Sequence, residues 1–146
     1  MKKIIYLLIP VVLLSCEKDE EKYSDIPEIE FVSMNPTSTI EFEDQVKIRI
    51  SYQDGDGDLG TEDPDYYSLL IKDARLTDYD EYHILPLSPP DQTLQIEGEF
   101  DIVLTGLFVL DTVNSETTSF LVKIRDRAGN WSNEIQTGSL TINKAQ

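Results

Sequence analysis

The stretch VKIRISYQDGDGDLG, residues 46–60, contains the clearest structural signal in the sequence. In its first half, Val46, Ile48 and Ile50 alternate with charged and polar residues. A period of two places successive side chains on opposite faces of a β-strand, so one face is predicted to enter a core while the other faces water. The second half is acidic and rich in glycine, as expected of a loop. The stretch therefore predicts a strand that runs directly into an acidic loop.

The same alternation recurs at Phe120, Val122 and Ile124, which predicts a second strand. Weaker strand signals are separated by segments rich in Pro, Gly, Asp, Asn and Ser. They lie at residues 29–32, 68–72, 82–85, 94–97, 102–104 and 140–142. No long stretch has the period of an amphipathic helix. The pattern is typical of an all-β protein, and about seven short strands in roughly 120 residues predict a single antiparallel immunoglobulin-like sandwich.

The composition limits the classes of protein and function to consider. A chain of 146 residues, of which 40% are hydrophobic, is long enough for one domain with a buried core. Its 28 acidic residues outnumber 12 basic ones, for a formal net charge of -16. This charge repels phosphate backbones and argues against nucleic acid as a partner, whereas it attracts divalent cations and basic partners. The single cysteine cannot form a disulfide within the chain, so packing or a metal must stabilise the domain.

The amino terminus has the pattern of a secretory signal peptide. Lys2 and Lys3 precede an uncharged apolar run at residues 4–14, which is shorter than the roughly 20 residues that a membrane-spanning helix needs. The run ends in Leu-Leu-Ser-Cys at residues 13–16, which resembles the lipobox of bacterial lipoproteins. The resemblance implies that residues 1–15 are removed and that the Cys16 thiol carries a diacylglycerol. Two or three acyl chains, each contributing about 0.8 kcal/mol per buried methylene, anchor a protein stably in a membrane.

A short charged segment follows the cysteine, at residues 17–22. We assign residues 16–26 to the lipidated cysteine and an acidic tether, and residues 27–146 to the immunoglobulin-like domain. The triplet Lys-Asp-Glu at 18–20 resembles the export signal of surface lipoproteins of the Bacteroidota, which implies the outer face of the outer membrane. We favour display at the surface; the alternative is a generic charged linker that faces the periplasm.

The carboxy-terminal region contains a second resemblance. It is similar to the D-x-A-G-N-x-S closing hairpin of bacterial extracellular immunoglobulin-like domains, and it covers the last fifth of the chain. The matching residues are Asp126, Ala128, Gly129, Asn130 and Ser132. Gly and Asn tolerate the backbone conformations that reverse a chain, so the last two strands are predicted to meet at this turn.

The acidic loop has the composition of a calcium site. Asp54, Asp56 and Asp58 alternate with glycines, so the loop can curl and point several carboxylates inward, where a divalent cation would remove their repulsion. The spacing resembles an EF-hand loop with Asp65 at its twelfth place, but Leu59 stands where glycine is usual and no flanking helices are predicted. A simpler aspartate-rich calcium loop and a polar turn whose acids face water both remain compatible with the residues.

The predicted topology adds a fourth candidate ligand. In an immunoglobulin sandwich, a loop between strands at 46–52 and 68–72 emerges at the same end as a loop at 126–135. Asp126 is therefore predicted to complete the shell of a calcium ion. Affinity in the range of extracellular modules, about 10⁻⁴ to 10⁻³ M, is expected.

No catalytic constellation can be assembled from the sequence, although paired carboxylates of glycosidase type remain compatible with 28 acidic residues. His83 is the sole histidine, Cys16 is predicted to carry lipid, and no G-x-S-x-G or phosphate-binding loop is present. We expect a noncatalytic binding or accessory module for an unknown protein or glycan. The candidate stacking residues are Tyr66, Tyr67, Tyr79 and Tyr82, for which packing in the core or at the rim of strands is the favoured interpretation. The alternative is a structural or assembly subunit of an envelope complex.

Overall fold

The computed structural model describes residues 23–89 and 91–146. Within these residues ten β-strands form three sheets, and none of the residues is helical. The strands are β1 (Glu28–Asn35), β2 (Ser38–Ile40), β3 (Val46–Asp54), β4 (Leu69–Asp73), β5 (Asp80–Tyr82), β6 (Ile96–Leu104), β7 (Ser115–Thr118), β8 (Phe120–Ile124), β9 (Ile135–Gln136) and β10 (Leu140–Asn143). The predicted all-β class is confirmed.

Part of the sequence prediction falls outside the described residues. The proposed signal peptide at 1–15, the lipidation site Cys16 and the charged residues 17–22 belong to this part. Across 23–89 and 91–146, no helix has the length and apolar character needed to cross a membrane.

The first sheet has the order β1-β3-β6 and is antiparallel throughout. All nine residues of β3 pair with β6, from Val46 opposite Leu104 to Asp54 opposite Ile96. The two strands predicted at 94–97 and 102–104 are therefore one continuous strand. Gly98 lies inside it because a Cβ there would come within 2.7 Å of the Tyr52 hydroxyl oxygen. The glycine makes room for a side chain of the neighbouring strand.

The other two sheets have the orders β5-β4-β8-β9 and β2-β10-β7. The structure has ten strands instead of the predicted seven or so, partly because two extended segments of the chain are each divided into two strands. β7 and β8 are separated by one residue, and β9 and β10 by residues 137–139. Where both segments are divided, the Phe120 amide donates to the Thr137 hydroxyl at 2.9 Å. A side-chain oxygen thus takes the place of the backbone carbonyl that would accept this hydrogen bond in a regular ladder. The chain passes from one sheet to the other at this point.

Buried aliphatic side chains from all three sheets form one hydrophobic cluster. The fully buried members from strands are Val46, Ile48, Ile50, Val122, Ile124, Leu140 and Ile142. The residues between them along β3 and β8 are exposed or half-buried, which agrees with the predicted period of two. Burial of these side chains is the main favourable contribution to folding in a chain without a disulfide.

The strand predicted at 82–85 is displaced toward the amino terminus. β5 covers Asp80–Tyr82, and the chain then leaves the ladder. Ile84 is nevertheless buried, and its amide donates to the Ser68 hydroxyl at 3.0 Å. The apolar side chain of Ile84 led to the prediction of a strand, but its backbone lies in a loop that packs on the core.

Candidate metal site

Asp54, Asp56 and Asp58 come together at the end of β3. One carboxylate oxygen from each residue lies within 4.8 Å of the other two. Calcium binds oxygen at about 2.3–2.6 Å, so two oxygens that share one ion are at most roughly 5 Å apart. Their spacing is therefore compatible with a single shared cation. Asp54 is fully buried, while Asp56 and Asp58 are half-buried.

Each of these aspartates has a buried carboxylate oxygen without a hydrogen-bond partner, namely its Oδ1. In Asp54 and Asp58 the other carboxylate oxygen, Oδ2, accepts a hydrogen bond from a backbone amide. Asp54 Oδ2 accepts from the Asp58 amide at 2.9 Å, and Asp58 Oδ2 accepts from the Ala128 amide at 3.0 Å. A buried carboxylate oxygen without a donor is energetically costly, and a cation shared by all three would offset this cost. The arrangement could hold a metal ion.

The electrostatics of the triad favour a cation for the same reason. Burial raises the pKa of Asp54 to about 6, and repulsion from Asp56 adds to the effect. Burial likewise raises the pKa of Asp58, with further contributions from Asp126 and Asp56. The charge of Arg127 opposes this increase, but its guanidinium donates to the Gly60 carbonyl (2.8 Å) instead of forming an ion pair with the triad. The negative charge of the site is largely uncompensated.

The aspartate loop is fixed by backbone hydrogen bonds to distant parts of the chain. Its partners are Ser24, Leu87, Leu94 and Arg127. Gly57 has a φ of +71°, and a Cβ there would lie 2.2 Å from the Leu94 carbonyl oxygen, so the tight path of the loop requires glycine. Because the loop is held on several sides, its carboxylates are oriented before any ligand binds.

Asp126 lies beside the triad, and its carboxylate is hydrogen-bonded within the carboxy-terminal turn. An isolated β-bridge joins Leu59 to Asp126, so the aspartate loop and the carboxy-terminal turn meet. The Asp126 carboxylate accepts from both the backbone amide (2.7 Å) and the side-chain amide (2.8 Å) of Asn130. Both of its oxygens are thus engaged within the turn, and Asp126 is not part of the group whose oxygens face one another. It acts on the site through its charge, which helps to raise the pKa of Asp58.

The departures from an EF-hand also have structural explanations. Leu59, at the place where glycine is usual, is fully buried in the hydrophobic core. Asp65, at the twelfth place, is exposed and lies in a separate turn, where its amide donates to Asp63 Oδ1 at 3.0 Å. The loop therefore belongs to the β-scaffold.

Two of the candidate stacking tyrosines lie on the outer face of β4 and β8, where rings and cations alternate. We name this surface the cation–aromatic row. Its members are Lys72, Tyr79, Lys123, Trp131, Arg125 and Tyr66, with each cation 4.3–5.1 Å from the centre of a neighbouring ring. The Tyr66 hydroxyl also donates to the Asp126 carbonyl at 2.5 Å, which connects the row to the carboxy-terminal turn. Tyr66 and Tyr79 thus serve as packing partners of cations.

The remaining two tyrosines do not extend this surface. The Tyr67 side chain is exposed, and its carbonyl accepts from Arg125 Nη2 at 3.2 Å. Tyr82 lines a small cavity of about 120 Å³ together with Leu76 and Phe108. The sequence analysis did not identify Arg127 as a residue of the metal site. Its guanidinium donates to the Gly60 carbonyl of the aspartate loop, and the only indication in the sequence is its position directly after Asp126.

Comparison with protein families, with characterised proteins and with solved structures gives no match for this chain. The functional interpretation therefore rests on the geometry and chemistry of the residues described above.

Proposed function

We propose that this chain is a lipid-anchored outer-membrane protein, displayed at the cell surface, that acts as a noncatalytic binding or accessory module with a calcium-stabilised loop. The observation that carries the proposal is the set of three buried, unpartnered Oδ1 atoms of Asp54, Asp56 and Asp58. Calcium sites of extracellular modules have Kd values of about 10⁻⁴ to 10⁻³ M, so a weak site is consistent with a displayed domain.

Calcium fits these ligands better than a transition metal does. Carboxylate oxygens are hard donors, which suit calcium or magnesium, whereas zinc prefers histidine and cysteine. The sole histidine, His83, has its Nε2 at 2.5 Å from the Thr61 carbonyl oxygen, where it has a structural partner. A flexible coordination number of six to eight also lets calcium use backbone carbonyls or water beside the triad.

We further propose that the domain is an immunoglobulin-like sandwich. The orders β1-β3-β6 and β5-β4-β8-β9 support two facing antiparallel sheets, with β2-β10-β7 continuing the second across its interruption. Within this continuation, β10 is antiparallel to β7 but parallel to β2. The bridge between Leu59 and Asp126 supports the arrangement in which the loop after β3 and the loop after β8 share one end of the domain.

The calcium site is tested by isothermal titration of the purified full-length chain in detergent, after removal of divalent ions with a chelator. Wild type is expected to bind calcium with a Kd of about 10⁻⁴ to 10⁻³ M. Asp54→Asn is expected to abolish the binding heat, because it removes a charge from the fully buried position of the triad. Asp65→Asn, a matched change at an exposed aspartate, should bind like wild type. No binding heat and no change in Tm of the wild type at millimolar calcium would reject the site.

The anchor is tested separately by intact-mass analysis of the protein isolated from its native host. We expect a chain that begins at Cys16 and carries two or three acyl groups, whereas Cys16→Ala should retain the leader and lack lipid. Protease treatment of intact cells then distinguishes external display, in which the domain is degraded, from a periplasmic orientation. An unmodified thiol with the leader still attached would overturn the proposed location.

The second candidate, a structural or assembly subunit, is favoured by the uneven distribution of charge on the domain. The cation–aromatic row concentrates positive charge on one sheet of an acidic chain, which suits pairing with another acidic surface.

A further inference from the structure

The cations of the cation–aromatic row have no carboxylate counter-ions. Within residues 23–89 and 91–146, no ion pair involves Lys72, Lys123 or Arg125, although acids outnumber bases in the chain by 28 to 12. Arg75, by contrast, pairs with Asp73 at 2.7 Å. The row therefore presents positive charge that its own chain does not neutralise.

Arg125 provides an independent sign of an incomplete surface. Its Nη2 donates to a backbone carbonyl, but its Nε is buried and has no acceptor. At the rim of the row, Glu134 accepts a hydrogen bond from the Tyr79 hydroxyl and so is already engaged. An external carboxylate is the chemical group that would complete this surface, because it accepts from guanidinium and ammonium groups and carries the opposite charge.

The opposite sheet carries the complementary feature, an open acidic groove of about 780 Å³ on the outer face of β1, β3 and β6. Its four glutamates stand in two rows across the sheet, with Glu28 and Glu97 on either side of Gln53, and Glu30 and Glu99 on either side of Ser51. Glu99 lies 3.9 Å from Arg49, and Glu97 accepts a hydrogen bond from the Tyr23 hydroxyl at 2.5 Å. Glu28, Glu30 and Glu97 form no ion pair with any described residue. We name this surface the glutamate groove.

The two surfaces have similar spacings. Residues two apart on a strand are separated by roughly 7 Å, so this distance separates Lys123 from Arg125 and also separates the two glutamate rows. Strands lie about 4.8 Å apart, which places the two glutamates of a row roughly 10 Å from each other, across β3. Several oppositely charged groups can therefore meet at once.

The geometry points to a second copy of this chain as the partner, with the cation–aromatic row of one copy bound in the glutamate groove of the next. The two surfaces belong to different sheets, so the contact is head to tail and generates a ring or an open series of copies instead of a symmetric dimer. Copies anchored in one membrane would meet at a high effective concentration, which strengthens a weak contact. The inference develops the assembly alternative of the proposed function and does not require calcium.

Chemical cross-linking of the full-length chain in membranes tests this contact. Cys16 is the only cysteine of the chain, so new cysteines can be cross-linked selectively. Gln136→Cys, an exposed position on β9, labels the sheet of the row, and Gln53→Cys labels the groove; both retain every charge. With a bismaleimide reagent, the double variant is expected to give a series of multimers. A mixture of the two single variants should give dimers only.

Charge variants of the double-cysteine chain identify the surfaces. Lys123→Glu in the row or Glu30→Lys in the groove is expected to reduce the multimer yield by about tenfold or more. Mixing these two variants should restore dimers, because each still has one intact surface. Lys144→Glu is the matched control, since Lys144 is exposed and outside the row, and it should retain multimers. Tm measurements on each variant show whether the fold is preserved.

Absence of multimers in the double-cysteine chain at low salt, or a yield unaffected by Lys123→Glu, would overturn the inference. A chain that stays monomeric but binds an acidic polysaccharide through Lys123 would also overturn it, and would assign the row to a polysaccharide. Calcium removal should leave the multimers intact, so failure of the calcium site and failure of this contact are separate results.

Discussion

Calcium-free protein is expected to lose about 3 kcal/mol of folding free energy as the pH rises from about 4 to about 7. Burial raises the pKa of Asp54 from 3.8 to about 6, so the folded state binds this proton more tightly than the unfolded state does. The corresponding stabilisation is fully present below the unfolded pKa and is lost as the pH rises through the folded pKa. At about 1.4 kcal/mol per pKa unit, the difference between 3.8 and about 6 corresponds to about 3 kcal/mol.

The other shifted carboxylates of the described residues oppose this trend only at its acidic end. At Asp73, burial is outweighed by hydrogen bonds from Arg75 and Thr118, which lower the pKa. Backbone hydrogen bonds from Leu110 and Asp111 lower the pKa of Glu116. Both carboxylates therefore contribute stability that is lost only in acid.

The pKa of Asp58 is raised like that of Asp54, which gives the same sign. Hydrogen bonds from Arg49 and Lys47 lower the pKa of Asp101 to about 2, so its contribution is present above the unfolded pKa and is lost only in stronger acid. The interval between about pH 4 and about pH 7 therefore reports mainly on the aspartate loop.

Urea unfolding at a series of pH values, with a chelator present, measures the effect. Asp54→Asn is the control, because an amide at this position has no charge and can donate to a neighbouring carboxylate. It should remove most of the pH dependence and stabilise the calcium-free protein near neutral pH. Saturating calcium should likewise abolish the loss in wild type, since the ion binds the deprotonated carboxylates. A flat pH profile of calcium-free wild type would contradict the burial of an uncompensated charge at Asp54.

Leu59→Ala is expected to destabilise the protein by about 3–5 kcal/mol, at the upper end for buried leucines. Leu59 is fully buried in the hydrophobic core although it belongs to the aspartate loop. Its backbone carbonyl is held by the Leu87 amide at 3.0 Å, so the loop cannot easily collapse into the cavity that the smaller side chain would leave. Calcium affinity should fall with stability, because Asp58 directly precedes Leu59.

Chemical denaturation of wild type and variant measures this difference. Leu85→Ala is the matched control, since Leu85 is 68% exposed and its truncation should change stability by less than about 0.5 kcal/mol. A loss below about 1 kcal/mol for Leu59→Ala would show that the loop is not packed on the core as described.

The strands that could be predicted from the sequence are marked by a local alternation of apolar and polar residues. Residues 46–52 and 120–124 alternate strictly between core and solvent, and both are strands. The short strands β2 (STI), β7 (SETT) and β9 (IQ) contain too few apolar residues to show such a pattern in the sequence. They form because neighbouring strands offer backbone partners, and this information is distributed over distant parts of the chain.

The same distinction applies to the candidate site. Asp54, Asp56 and Asp58 lie within five residues, so their convergence could be predicted from spacing and glycine content. The engagement of Asp126 depends on the conformation of its own turn, in which Asn130 binds both carboxylate oxygens. The cation–aromatic row requires the pairing of β4 with β8, which no short sequence pattern encodes.

The hydrogen bond from the Gly55 amide to the Ser24 carbonyl (2.7 Å) has a mechanical consequence. It attaches the first described residues of the chain to the aspartate loop, ahead of the ladder between β1 and β3. A pulling force applied from the amino-terminal side would load this hydrogen bond together with those from Tyr23 to Gln95 and Glu97, before the ladder between β1 and β3. In a chain anchored as proposed, an ion bound in the loop would add to the force needed to open this end of the domain.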